Sequence, residues 1–228
     1  MIVTFVRNRS FSLSMVVLVL GIILVLQSSL SYSITFGSLK ALLVSDGLVM
    51  VSAAWIAIRV TIVAAIVVLW FMNRRRMLFR AIMFANGVFT FALVVNMIAL
   101  VQVLFGVSSQ DVDTLIFDVV LMAVANILIF SIWYWIIDPP GVNEDPRDDE
   151  PWDFLFPQRA GELRHYEDWQ PRYTDYLFLA FTSSFAFSPT DTLPLTRRAK
   201  ALMMIQSAIS LVTITAIAGS AINILASG

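Results

Sequence analysis

The chain has 228 residues, a formal net charge of −1, no cysteine and one histidine, His165. These numbers exclude a disulfide framework, a thiolate metal site and a multi-histidine metal cluster, and they leave no basic surplus for nucleic acid. Hydrophobic residues make up 59% and charged residues 14%, with mean hydropathy +0.83. Soluble domains lie nearer about 45–50% apolar, so the excess calls for the bilayer as a second solvent.

A transmembrane helix needs about 20 mainly apolar residues. Five stretches meet this: 12–34, 47–72, 81–105, 112–137 and 199–225. Arg7 and Arg9 precede the first, as in a signal sequence. The run continues uncharged to Ile34 and no convincing small-x-small cleavage site follows, so an uncleaved anchor is expected. The apolar residues 38–45, with Lys40, are either an interfacial turn or an early start of the second helix.

Arginine and lysine in short loops mark the cytoplasmic side. Arg7, Arg9, Arg74, Arg75, Arg76, Arg80, Arg197, Arg198 and Lys200 all fall on one side if the chain alternates, and Lys40 alone dissents. The N-terminus and the 138–172 loop are therefore expected inside, in the inner membrane, with the C-terminus outside.

Arg59 lies near the middle of the second stretch, where a charge costs about 2.5–3.5 kcal/mol on insertion scales. Asp118 is the one carboxylate well inside a span. An intramembrane Arg59–Asp118 pair is expected, serving either as a fixed helix register or as part of an ion path. Asn96 and Asn126 are polar residues at mid-span.

The fourth stretch ends in Phe130, Trp133, Tyr134 and Trp135, aromatics typical of the membrane–water interface, and Asp138-Pro139-Pro140-Gly141 then stops the helix. The 139–172 loop is acidic: 11 of the 16 acidic residues fall between Asp138 and Asp175. Residues 152–158 read WDFLFPQ, too apolar for a solvated linker. They either dock on the membrane or the protein, or form a partly buried loop with no separate role. Glu162, His165, Glu167 and Asp168 read as solvated surface.

Residues 173–228 form a separate unit: a half-helix, a kink and a final helix. Residues 176–187 would span only about 18 Å as a helix, too short to cross. Non-helical backbone at membrane depth survives only inside protein or against water. Ser188, Pro189, Thr190, Asp191 and Thr192 are the candidate pore loop, and their oxygens suit a hard cation. The same residues also fit the capped start of an interfacial helix. On the last helix Gln206, Ser210, Thr213 and Ser220 share one 80° face, which either lines a pore or packs helices.

The blocks Asp153-Phe154-Leu155-Phe156-Pro157-Gln158, Trp169-x-Pro171-Arg172-Tyr173-x-Asp175-Tyr176 and Phe187-Ser188-Pro189-Thr190-Asp191-Thr192-x-Pro194-Leu195 resemble a family of bacterial integral membrane proteins defined as a domain of unknown function. The resemblance covers the C-terminal third and implies an inner-membrane protein without assigning an activity. More distantly, this unit is similar to the pore loop and inner helix of potassium channels, with Pro194-Leu195-Thr196-Arg197 after the loop. The Gly-Tyr-Gly filter of that family is absent, so potassium selectivity is not implied.

The expectation is thus an all-α polytopic membrane protein. It has a four-helix scaffold (1–138), an acidic loop (139–172) and a pore-like unit (173–228), with about five crossings and one re-entrant or interfacial half-helix. No cofactor, metal or catalytic constellation is expected. The expected partners are the lipid bilayer, small cations and, for a pore, further copies of the chain. A non-conducting scaffold using the acidic loop is the alternative.

Overall fold

The computed structural model describes residues 10–39, 47–72, 74–105, 112–138, 152–160, 169–185 and 191–227. Seven helices are described: α1 (Ser10–Leu39), α2 (Gly47–Phe71), α3 (Arg75–Phe105), α4 (Val112–Ile137), α5 (Pro157–Ala160), α6 (Tyr173–Phe185) and α7 (Arg197–Ser227). Two two-residue strands, β1 (Phe154–Leu155) and β2 (Leu193–Pro194), pair antiparallel with Phe154 opposite Pro194 and Leu155 opposite Leu193.

Among the described residues, three helical segments are long and apolar enough to cross a membrane: Arg76–Ile98, Ile116–Ile137 and Arg197–Ala216. This is fewer than the five expected. Helices form at all five predicted places, but in α1 and α2 the described apolar stretches, Leu13–Ser29 and Ala57–Phe71, are shorter.

Helix α4 is the axis of the bundle. Helices α1, α3, α6 and α7 pack on it, while α2 leans on α1 and α3. Phe130, Tyr134 and Trp135 near its end are almost completely buried, so these aromatics serve the core rather than a lipid interface. Along its neighbours Leu20, Ile23, Ile82 and Phe89 fill the space between helices. Lipid offers apolar side chains no less than protein does, so polar bonds between helices add the specificity. Gln27 Nε2 on α1 donates to the Phe89 carbonyl on α3 at 2.8 Å, Asn86 Nδ2 on α3 to the Ile129 carbonyl on α4 at 3.1 Å, and Trp133 Nε1 on α4 to Thr90 Oγ1 at 2.8 Å.

Helix ends follow local chemistry. Asp138 precedes Pro139 and Pro140, which cannot continue the hydrogen-bond ladder, and α4 stops there. At the start of α6 the Asp175 carboxylate accepts the Arg172 backbone N–H at 2.6 Å, closing the first turn. Burial pushes the Asp175 carboxyl up from its ordinary range, against the opposing pull of that bond and of the Arg172 charge. Thr196 caps α7 by accepting the Ala199 N–H at 3.3 Å.

Candidate functional site

Two buried carboxylates hold the loop after α4 against the unit formed by α6 and α7. Asp138 is 0% exposed. Its Oδ1 accepts the Asp153 N–H at 3.0 Å and the Phe154 N–H at 3.3 Å. Its Oδ2 accepts the Tyr176 hydroxyl at 2.6 Å and Arg159 Nη1 at 3.1 Å. The Arg159 guanidinium lies 4.8 Å from the centre of the Trp152 ring and 5.6 Å from that of Phe156, so ring faces as well as the carboxylate offset its burial.

Asp153, also 0% exposed, grips the start of α7. Arg198 presents Nε at 2.7 Å to Oδ1 and Nη2 at 2.6 Å to Oδ2, a two-point pair of the strong kind. The Thr196 hydroxyl donates to the same carboxylate, and the Leu195 N–H reaches the Asp153 carbonyl at 2.9 Å. The same Arg198 also donates to the Ile137 carbonyl at the end of α4. Residues 152–159 are thereby stitched to both α4 and α7. Of the readings open for the WDFLFPQ segment, docking on the protein is the one found: Phe154 meets Tyr134, and Phe156 meets Trp169 and Tyr176.

A second polar cluster lies deeper. Gln206 on α7 is 0% exposed. Its Nε2 donates to the Ala180 carbonyl and to Ser184 Oγ on α6, both at 2.8 Å, and its Oε1 accepts the Tyr134 hydroxyl from α4. Asn126 Nδ2 on α4 donates to Ser210 Oγ at 2.8 Å and to the Gln206 carbonyl at 3.4 Å. One glutamine thus joins three helices.

The two clusters define the path of the chain. In the first turn of α6 Tyr176 reaches Asp138 and Tyr173 reaches Ser131, further back along α4, each at 2.6 Å, while its last turns meet Gln206, nine residues into α7, about 13 Å along that helix. By Leu193 the backbone is again beside Leu155. Residues 193–194 and the Tyr176–Asp138 bond near the start of α6 therefore lie at the same end of the bundle.

In comparisons with known proteins, no family model, no curated protein and no solved structure matches the chain.

The residues singled out from the sequence fall as follows. Ser188, Pro189 and Thr190 lie outside the described residues. Asp191 is exposed and Thr192 is buried. Gln206, Ser210 and Thr213 are buried, the first two bonded to other helices and Thr213 to the Ile209 carbonyl of its own helix. Ser220 lies on α7, with its side chain outside the description. Arg59 and Asp118 are both buried, and Arg59 Nη1 donates to the Gln27 carbonyl on α1 at 3.2 Å. Sequence reasoning missed the roles of Asp138, Asp153, Arg159 and Arg198. The available signal was Arg159 directly after an aromatic run that itself contains an acid, a pattern that fits a buried ion pair better than a solvated linker.

Proposed function

We propose that this is a five-crossing inner-membrane protein whose half-helix α6 enters the bilayer and returns to the same side, and that several copies arrange this unit around a path for small cations. The observation that carries the reading is the route of the chain: α6 meets Gln206 deep in the bundle, and residues 193–194 are back at the Asp153 level. Backbone leaving a half-helix at that depth needs protein or water beside it. An assembly of copies supplies both. Asp191, exposed at the returning end, then forms a ring of negative charge that concentrates cations. Such a ring weakens as salt shortens the Debye length.

The test is cation flux in liposomes of purified protein. Asp191→Asn keeps the shape and removes the charge, so it should leave folding intact and lower flux. Flux through wild-type protein that is indifferent to Asp191→Asn would move the path elsewhere.

A second reading is a membrane scaffold that presents its acidic 139–172 loop to a partner. It is favoured by the engagement of Gln206 and Ser210 within one chain, which takes them out of any water-filled lining. Wild-type protein that carries no cation flux would decide for this reading.

A further inference from the structure

We propose that the cleft between α2 and α3 binds an anionic phospholipid, with the phosphate on Arg76 and Arg80 and an acyl chain in the groove beneath them. The groove holds about 780 Å³ and is lined by Ala57, Ile58 and Thr61 of α2 and Phe84, Gly87 and Phe91 of α3, among others. Its surface is apolar: the Thr61 hydroxyl is turned back onto the Ala57 carbonyl at 2.7 Å. Phe84 and Phe91 stand out as walls, 65% and 59% exposed. Between them Gly87 leaves open space, since a Cβ built there meets nothing within 4 Å.

The register of α3 places charge above this groove. At about 100° per residue, positions 76, 80 and 87 fall within about 40° of one another, and 84 and 91 within the next 40°. Arg80 sits one turn before Phe84 and three turns before Phe91, about 6 and 16 Å along the axis. Side chains on a helix lean toward its N-terminus, so both guanidinium groups lean away from the groove toward the α2–α3 turn. Arg76 and Arg80 are exposed. Among the described residues neither has a carboxylate partner. Exposed Trp70 flanks the same turn, the kind of side chain found at headgroup level.

A ligand with an anionic head and a long apolar tail satisfies both halves of this surface. Guanidinium groups recognise phosphate by paired N–H donors, and the tail covers the groove. A second copy is a poorer occupant. Its α7, which also has an exposed apolar face, begins with exposed Arg197 and Lys200. Docked in parallel, it would set cations against cations.

The experiment is native mass spectrometry of the full chain released from detergent. Phosphatidylglycerol is added in parallel with phosphatidylcholine of the same acyl chains. Wild-type protein is expected to retain phosphatidylglycerol preferentially, and dihexanoyl phosphatidylglycerol, too short for the groove, should not be retained. Arg76→Gln with Arg80→Gln should lower the preference roughly thirtyfold, since each arginine near an anionic surface contributes about a fivefold factor. Gly87→Leu should reduce retention of the long-chain lipid with both arginines present. Circular dichroism checks that each variant is folded.

Four results would overturn the proposal. One is an intact preference in the double arginine variant, and another is intact retention in Gly87→Leu. A third is displacement of the lipid by millimolar inorganic phosphate, which would make this a free-anion site. The last is an equal loss in Arg197→Gln with Lys200→Gln, which would make it a general charge effect. Loss of a dimer in Gly87→Leu with lipid adducts unchanged would assign the groove to a second copy instead.

Discussion

The Tyr176 hydroxyl on α6 donates to the Asp138 carboxylate at the end of α4 across 2.6 Å. That bond ties the half-helix to the bundle axis at the point where α4 stops. The same carboxylate holds Arg159 and two backbone N–H groups, so the three connections share one group.

Losing Asp138 should therefore cost more than losing any one of its partners. Asp138→Ala leaves the buried Arg159 charge uncompensated, a loss of about 3–5 kcal/mol. Tyr176→Phe removes one hydrogen bond to a charged group, about 1.5–3 kcal/mol. Thermal unfolding in detergent should rank Asp138→Ala below Tyr176→Phe, and both below wild type. Asp138→Leu combined with Arg159→Met should recover part of the loss. Equal midpoints for the two single variants would show that Arg159 does not depend on Asp138.

Gln206→Leu should loosen α6 specifically. It removes the partner of the Ala180 carbonyl, Ser184 and Tyr134 at once. Bonds between membrane helices average about 0.6 kcal/mol each, so about 1–2 kcal/mol is expected in all. Hydrogen exchange should rise across α6 and stay unchanged in α2 and α3, which lie away from the cluster.

Arg59 and Asp118, proposed as an intramembrane pair, are tested by a double-mutant cycle. Arg59→Leu and Asp118→Leu should each lower stability, and the double variant should recover part, because one buried charge left behind is worse than none. Strictly additive losses would show that the two do not interact.

The membrane orientation is checked by reporter fusions. Alkaline phosphatase joined at Val107 and Gly228 should be active, and joined at Asn73 it should be inactive, as the arginines from Arg74 to Arg80 require of a cytoplasmic turn. Activity at Asn73 would reverse the topology.

The bundle was legible in the sequence because long apolar runs carry their meaning locally. The expected starts at 47 and 112 coincide with those of α2 and α4, and the expected 176–187 half-helix overlaps Tyr173–Phe185, which begins earlier. Gln206 was visible as a polar residue on an apolar helix. Its three partners were not, because they lie 22 to 72 residues away. Asp138 and Asp153 were hidden for a different reason. They sit in a stretch rich in exposed-looking acids, and the one local sign of burial was the aromatic run around Asp153 with Arg159 after it. The pairing of Phe154 with Pro194 brings Arg198 and Thr196 to Asp153, and the packing of α6 on α4 brings Tyr176 to Asp138.

The order of these parts along the chain has a consequence for biogenesis. Asp138, Asp153 and Arg159 all precede α6, so the ribosome releases the cradle before the element it will receive. A 13-residue helix is too short to be inserted as a crossing in its own right, and its deep anchor, Gln206, is made later still. A nascent chain that ends before Gln206 already has α6 packed on α4, through Tyr173 on Ser131 and Tyr176 on Asp138, but lacks the partner of the Ala180 carbonyl and Ser184. The last turn of α6 gains its polar anchor only once the first turns of α7 have left the exit tunnel.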